Sequence, residues 1–341
     1  MKKSEGVILA VDIGGTKVAA GLVTSTGKIL SKTRTKMVAN QSAAEGLAAV
    51  HEAIDDTLKS RGSRKIIAMG VSVPGWVDSK GGTLLSAANL PCWRNFNLAR
   101  EFAKHYRMPV RVANDAKAAA LAEAAWGAGR GYNNVFYATL GTGVGTGLVI
   151  DGQIYMGRRG PGGEGGHTTI DFHGPQCGCG KRGCAETYIA GPAIARGARE
   201  HIAKESGEHS LMMKLADGDA VKVTAEIVAN AADAGDTLAR KVLDKMAEHL
   251  TIWIGNIMDL LEPEVIVIGG GLADLTMSLL PQVRRQLDQW SCSPERQETA
   301  IVQAFYGAES ALVGAAALCI SREKMWNESR TKTSKRKSAK K

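Results

Sequence analysis

The sequence predicts a duplicated α/β protein of two lobes, each a sheet flanked by helices. Three observations predict it. Short β-branched runs end in glycine turns and alternate with stretches of helical spacing. A chain of 341 residues is long enough to divide into two cores. The pattern strand, Gly/Thr turn, strand, turn, strand also occurs twice. It appears as VILAVDIGGTKVAAGLVTSTGKI at the start and as VFYATLGTGVGTGLVIDGQIY about 130 residues on, a period far longer than a solenoid's. Two related lobes imply a ligand cleft between them.

Residues 7–13, VILAVDI, form the first expected strand. Gly14-Gly15-Thr16 turns the chain into a second over Lys17–Val23, and Ser25-Thr26-Gly27 into a third over Lys28–Arg34. Leu47, Val50, Ile54 and Leu58 recur at helical spacing and predict a helix over Ala43–Ser60. A strand over Lys65–Val73 follows, then a loop over Pro74–Leu90 and a helix over Leu98–Tyr106. The strand Pro109–Ala113 runs into Asn114-Asp115, and AKAAALAEAAW after it is strongly helical. Residues 135–155 repeat the opening meander. Helices are expected over Thr187–Lys204, Thr224–Asn230 and Thr237–Leu261. A buried strand, Pro263–Ile268, ends in Gly269-Gly270-Gly271. A helix over Leu275–Trp290, a strand over Thr299–Ala304 and a helix over Ala308–Met325 close the fold. The expected division is a small lobe over 1–118, joined by the last helix at about 308–325, a large lobe over 119–307, and a tail over 326–341.

Hydrophobic residues make up 44% of the chain and charged residues 23%, ordinary for a soluble globular protein. The net charge of +9 is not spread over the fold: residues 321–341 carry nine Lys/Arg and two Glu, a net of +7 that leaves +2 elsewhere. That tail has little to bury and is expected to be disordered and solvated rather than to bind nucleic acid. The apolar run Val7–Val11 is too short for a signal peptide and stops at Asp12, and no run approaches a membrane span. The six cysteines form no disulfide framework, which fits a reducing, cytoplasmic setting.

Three of those cysteines lie in GPGGEGGHTTIDFHGPQCGCGKRGCAETY, residues 160–188, a segment too glycine-rich to hold itself in shape. His167 with Cys177, Cys179 and Cys184 offers four N/S ligands, which suits tetrahedral Zn²⁺ with no open position and hence a structural role. His173 is an alternative fourth ligand at this level, and the C-x-C spacing argues against a redox pair. Glu164 and Glu186 flank the ligands, so the loop reads as a metal-stapled platform presenting carboxylates.

Gly14–Thr16 and Gly141–Gly147 follow strands at equivalent places, and Gly269–Gly271 follows another. Such turns expose N–H groups and hydroxyls to phosphate oxygens, and the set points to a bound triphosphate. No P-loop is present. Gly160–Gly165 matches G-x-G-x-x-G but lacks strand-to-helix context. Asn114-Asp115 sits at the carboxyl end of a strand, where open α/β sheets bind ligands. Either residue can simply cap the helix. An aspartate there also suits a base that orients a hydroxyl for phosphoryl transfer. Asn89, Asn114, Glu164, His167 and Glu186 are short polar groups of the kind that pair with sugar hydroxyls.

These stretches resemble the sugar kinases of the ROK (repressor, open reading frame, kinase) family. The resemblance rests on DIGGTK (12–17), SAANLPCWRNF (86–96), ANDAKAAALAE (113–123), LGTGVGTG (140–147), GGEGGH (162–167) and CGCGKRGCAE (177–186). It implies an actin/hexokinase-like ATPase fold of two RNase H-like lobes with a structural zinc loop, in a homodimer. Asp115 would be the catalytic base, with Asn89, Asn114, Asp115, Glu164, His167 and Glu186 on the sugar. Gly14, Gly15, Thr16, Lys17, Thr142, Gly143 and Gly270 would meet ATP, which brings Mg²⁺. His167, Cys177, Cys179 and Cys184 would hold zinc. NLPCWRN and the E-x-x-H pair look most like the bacterial glucokinases of the family, which phosphorylate glucose at O6. Two departures stand out: Ala113 replaces a common Glu, and Thr146 interrupts a glycine run. Other hexoses, among them N-acetylmannosamine, N-acetylglucosamine, allose and fructose, fit the same residues. A sugar-responsive regulator is the other reading; with the first strand at Val7, the sequence leaves no room ahead of it for a DNA-binding segment.

Overall fold

The structure is a computed structural model that describes residues 6–320 apart from Gln41 and Ser206. The expected tail over 326–341, and residues 321–325 of the expected last helix, lie outside the described residues. The chain clusters into two compact units. The first reaches to Tyr137 and adds Gly147–Gly163 and the stretch from Ala304 on; the second comprises Ala138–Thr146 and Glu164–Gln303.

The first unit opens with the meander β1 (Val7–Ile13), β2 (Lys17–Val23) and β3 (Ile29–Lys36), followed by α1 (Ala43–Lys59) and β4 (Ile66–Val73). Then come β5 (Trp76–Asp78), β6 (Thr83–Ser86), β7 (Phe96–Asn97), α2 (Leu98–Tyr106), β8 (Val110–Asn114) and α3 (Asp115–Ala125). The loop expected over 74–90 therefore contains β5 and β6, which pair with β7 as a small antiparallel sheet. These strands have two to four residues, too short for an alternating pattern to register. The main sheet has the order β3-β2-β1-β4-β8, antiparallel through the meander and parallel from β1 to β4 to β8.

The second run of elements is β9 (Val135–Leu140), β10 (Val144–Ile150), β11 (Gln153–Ile154), α4 (Glu186–Ile189), α5 (Gly191–Lys204), α6 (Leu211–Leu215), α7 (Ala225–Asp233) and α8 (Thr237–Leu261). β12 (Val265–Gly269), α9 (Ala273–Trp290), β13 (Ala300–Gln303) and α10 (Ser310–Ala317) complete it. Its sheet has the order β11-β10-β9-β12-β13, position for position that of the first. The helix expected over 187–204 is two helices. A continuous helix would need an N–H from Pro192 to Tyr188, and proline has none, so the chain turns extended at Ala190 and restarts.

Both faces of the first sheet are covered, which explains its unbroken apolar runs. Leu9, Val11 and Ile13 pack with Val50, Ala53 and Ile54 of α1. Ile8, Ala10, Ala19 and Val23 on the other face pack against Leu312, Ala315 and Ala316 of α10. That contact needs Gly70, and the seat of α10 on α3 needs Gly314. A Cβ on Gly70 would lie 1.7 Å from the Ala315 carbonyl oxygen, and one on Gly314 would lie 1.9 Å from that of Ala118. At the far end of α3, the buried Glu123 carboxylate accepts from the backbone N–H groups of Ala128, Phe305 and Tyr306 and from the Ser310 hydroxyl.

Candidate active site and metal centre

In the first unit the expected residues gather at the carboxyl ends of β1, β4 and β8. β8 gives way directly to α3, so Asn114 caps the helix and Asp115 is its first residue. The Asn114 side chain accepts the Lys117 N–H at 3.2 Å and donates to the Gly75 carbonyl at 3.1 Å, so its capping role is real. Asp115 accepts the Ala116 N–H at 2.8 Å. The Gly14–Lys17 turn closes with a 2.9 Å bond from the Gly14 N–H to the Lys17 carbonyl, leaving Thr16 and Lys17 exposed. Gly15 lies against Asn89, where a Cβ would come within 2.7 Å of the Asn89 Cβ. The turn, Asn89, Asn114 and Asp115 thus belong to one end of one sheet.

Asp12 was not among the expected site residues. It falls on β1 beside β4, where the Ser72 hydroxyl donates to it at 2.6 Å. Burial, opposed by the Ser72 bond and aided by the neighbouring charge of Asp115, pushes its carboxyl up to about 6. The sequence offers only an acid in an otherwise apolar run, VILAVDI, which reads equally as the end of the strand.

In the second unit the β9–β10 turn holds Thr142 and Gly143, and the Gly141 N–H bonds to the Gly143 carbonyl at 3.0 Å. Gly270, at φ 86°, follows β12; a Cβ on Gly141 would lie 3.9 Å from the Gly271 nitrogen, so these two glycine turns are neighbours. Glu186 starts α4 and its carboxylate accepts the Val144 N–H at 2.8 Å. The Thr146 hydroxyl accepts the Gly165 N–H at 2.7 Å, and the buried Trp253 indole donates to the Gly165 carbonyl at 2.9 Å. Thr146, which read as a departure, is what ties β10 to the segment bearing Glu164 and His167.

His167, Cys177, Cys179 and Cys184 place their donor atoms within 4.8 Å of one another. The Cys179 and Cys184 sulfurs are 3.6 Å apart, as are the Cys177 sulfur and His167 Nδ1. Tetrahedral Zn²⁺, with bonds of about 2.3 Å to sulfur and about 2.0 Å to nitrogen, spaces its donors by about 3.5–3.8 Å. The donor set and its spacing fit that ion. His173 is not in the cluster: its ring packs on Phe172, with centroids 4.0 Å apart, so the fourth donor is His167.

A family model described as the ROK family matches residues 8–322. The chain belongs to the ROK family. ROK relatives cover most of its length. A glucokinase from Thermotoga maritima is 37% identical over 268 residues, 78% of this chain and 82% of the relative. The crystal structure of a ROK glucokinase from Streptomyces griseus, in complex with glucose and AMPPNP, superposes with a TM-score of 0.77 at 33% identity, covering 92% of this chain and 99% of that one. A ROK transcriptional regulator, a homologue of the E. coli MLC protein, superposes with a TM-score of 0.81 at 27% identity over 94% of this chain and 79% of that one. Among the described residues no helix is long and apolar enough to cross a membrane.

Proposed function

We propose that this chain is an ATP-dependent sugar kinase that moves the γ-phosphoryl group of Mg–ATP to a hexose hydroxyl, with O6 of glucose as the leading acceptor. The observation that carries the reading is Asp115 at the junction of β8 and α3, at the same end of the sheet as the Gly14–Lys17 turn, whose Gly15 lies against Asn89. The ROK glucokinases that the chain resembles support glucose. Asp115 accepts the proton of the attacking hydroxyl. Its ionised form is favoured by the helix N-terminus, and phosphoryl transfer demands orientation more than strong basicity. Asn89, Asn114, Glu164, His167 and Glu186 pair with the sugar hydroxyls. The turn of Gly14, Gly15, Thr16 and Lys17, the Thr142-Gly143 turn and Gly270 serve the nucleotide phosphates through backbone N–H groups. His167, Cys177, Cys179 and Cys184 hold a structural zinc that fixes the loop and supplies no chemistry of its own. The enzyme works in the cytoplasm as a homodimer.

The test is ADP release from Mg–ATP against a panel of hexoses and N-acetylhexosamines. Turnover with glucose supports the reading in full. Turnover with another sugar alone keeps the kinase and replaces its acceptor. No turnover with any sugar, from protein verified to contain zinc, overturns the kinase reading in favour of a sugar-responsive regulator.

A further inference from the structure

The second unit contains a cavity of about 230 Å³ apart from the glycine turns, between α5 and α8, with Pro175 and Tyr188 from the metal-loop side. Ala193, Ile194, Val242 and Met246 give it an apolar lining. Tyr188 stacks on His249 at a centroid distance of 4.1 Å and adds a flat wall. Arg196, Lys204 and Lys245 bring positive charge, and Glu200 is the one carboxylate among the lining residues. Arg196 meets Glu200 at 3.7 Å, and Lys245 meets Glu248 at 2.7 Å. Exposed pairs of this kind hold weakly, so an incoming dianion can replace a carboxylate on either cation. Apolar walls with converging cations suit an organic anion, and a guanidinium fork suits phosphate. The volume lies below the roughly 300 Å³ at which pockets for drug-sized ligands begin, so the ligand is small. A neighbouring cavity shares His201 and Lys245 but sets two carboxylates, Asp244 and Glu248, among its cations Lys241, Lys245 and Arg285 and has no apolar side chain in its lining, so it suits an organic anion less well.

The walls lead to the candidate site. The Arg196 guanidinium donates to the Thr187 carbonyl at 2.6 Å, one residue past Glu186 in α4. The Tyr188 hydroxyl donates to Asp171 of the metal loop at 2.7 Å. A ligand that draws on Arg196 pulls on the short helix that holds Glu186 to Val144.

We propose that this cavity is an effector site for a small organic phosphate whose binding, acting through α4, changes the affinity for sugar. The binding part stands without the kinase reading; the coupling part rests on it.

The probe is phosphoenolpyruvate, titrated calorimetrically into the full chain saturated with AMPPNP, with inorganic phosphate as the comparison. One saturable event is expected, tighter than phosphate alone. It should weaken tenfold or more in Arg196→Gln and in Lys245→Ala, whose side chain is 65% exposed and can be removed without disturbing the fold. The dissociation constant of the accepted sugar should change at least threefold when phosphoenolpyruvate saturates, and should not change in Lys245→Ala. No saturable heat, or heat unaltered in both variants, overturns the site. Binding no tighter than inorganic phosphate overturns the organic ligand. Binding with unchanged sugar affinity overturns the effector role. Sugar-kinase turnover is measured separately, so failure of that reading cannot pass for failure of this one.

Discussion

Asp12 carries a charge at a stability cost. Burial raises its carboxyl from 3.8 to about 6, so the folded state keeps the proton longer than the unfolded chain does. The cost of ionising it is absent below 3.8, grows as pH rises through 6 and is complete above, at most about 3 kcal/mol. Asp12→Asn keeps an acceptor for Ser72 and removes the charge. It should raise the urea midpoint at pH 8, with the gain shrinking as pH falls below 6; equal midpoints at pH 8 would mean that Asp12 is ionised without penalty. Asp115→Asn keeps the shape but removes the proposed base. It should lower turnover by roughly 10²–10⁴-fold while sugar affinity stays within a few-fold. Near-normal turnover would remove Asp115 from the chemistry. Asn114 and Asp115 were legible because a strand end followed by an alanine-rich helix makes them the cap and first turn in any fold. Asp12 was not, since one acid in an apolar run also reads as the strand's end. Only pairing with Ser72 and the approach of Asp115 reveal it.

The metal loop is an element with almost no regular structure of its own, only a 3₁₀ turn over Gly165–His167 and the short α4 at its end. Its shape is fixed from outside by Thr146, Trp253 and Val144, and the proposed zinc on the four donors would fix it from inside. Cys179→Ser should reduce bound zinc, measured by elemental analysis, and weaken sugar binding, because His167 and Glu186 lose their common anchor. Chelation of the wild type should do the same. Full sugar affinity without zinc would show that the outside bonds suffice. The ligand set was readable from residue type and spacing, but the choice of His167 over His173 needed the folded loop. The long helices were readable for a different reason: α8, Thr237–Leu261, spans seven turns and repeats its apolar face often enough to declare itself. The small sheet at 76–97 and the break before Pro192 depend on two to four residues each, and there periodicity has nothing to count.

At the scale of the molecule the duplication is the main fact, and strand order carries it across the whole of both sheets. The repeat in sequence showed only the two meanders; the equivalence of β4 with β12 and of β8 with β13 required the sheets. The two runs differ in what they add. The first inserts the small sheet, with Asn89 in its β6–β7 connection; the second inserts residues between β11 and α8 that include the metal loop. Of the proposed acceptor-reading residues, Asn89, Glu164, His167 and Glu186 sit in these additions, while Asn114 and Asp115 sit on the shared frame. The last helix, α10, belongs in sequence to the second run but covers the first sheet. A chain stopped after Gln303 should lose the cooperative unfolding of the first unit and its near-ultraviolet circular dichroism, and should bind a hydrophobic dye. A sharp thermal transition in that truncated chain would mean that α10 is dispensable. The same placement of α10 sets a timetable at the ribosome. Ile8 leaves the exit tunnel about 300 residues before Leu312, which at about 5–20 residues per second is roughly 15–60 s. For that whole interval one apolar face of the nascent sheet has no partner. Newly made protein therefore depends on chaperone shelter in proportion to how slowly the ribosome traverses the second half of the message.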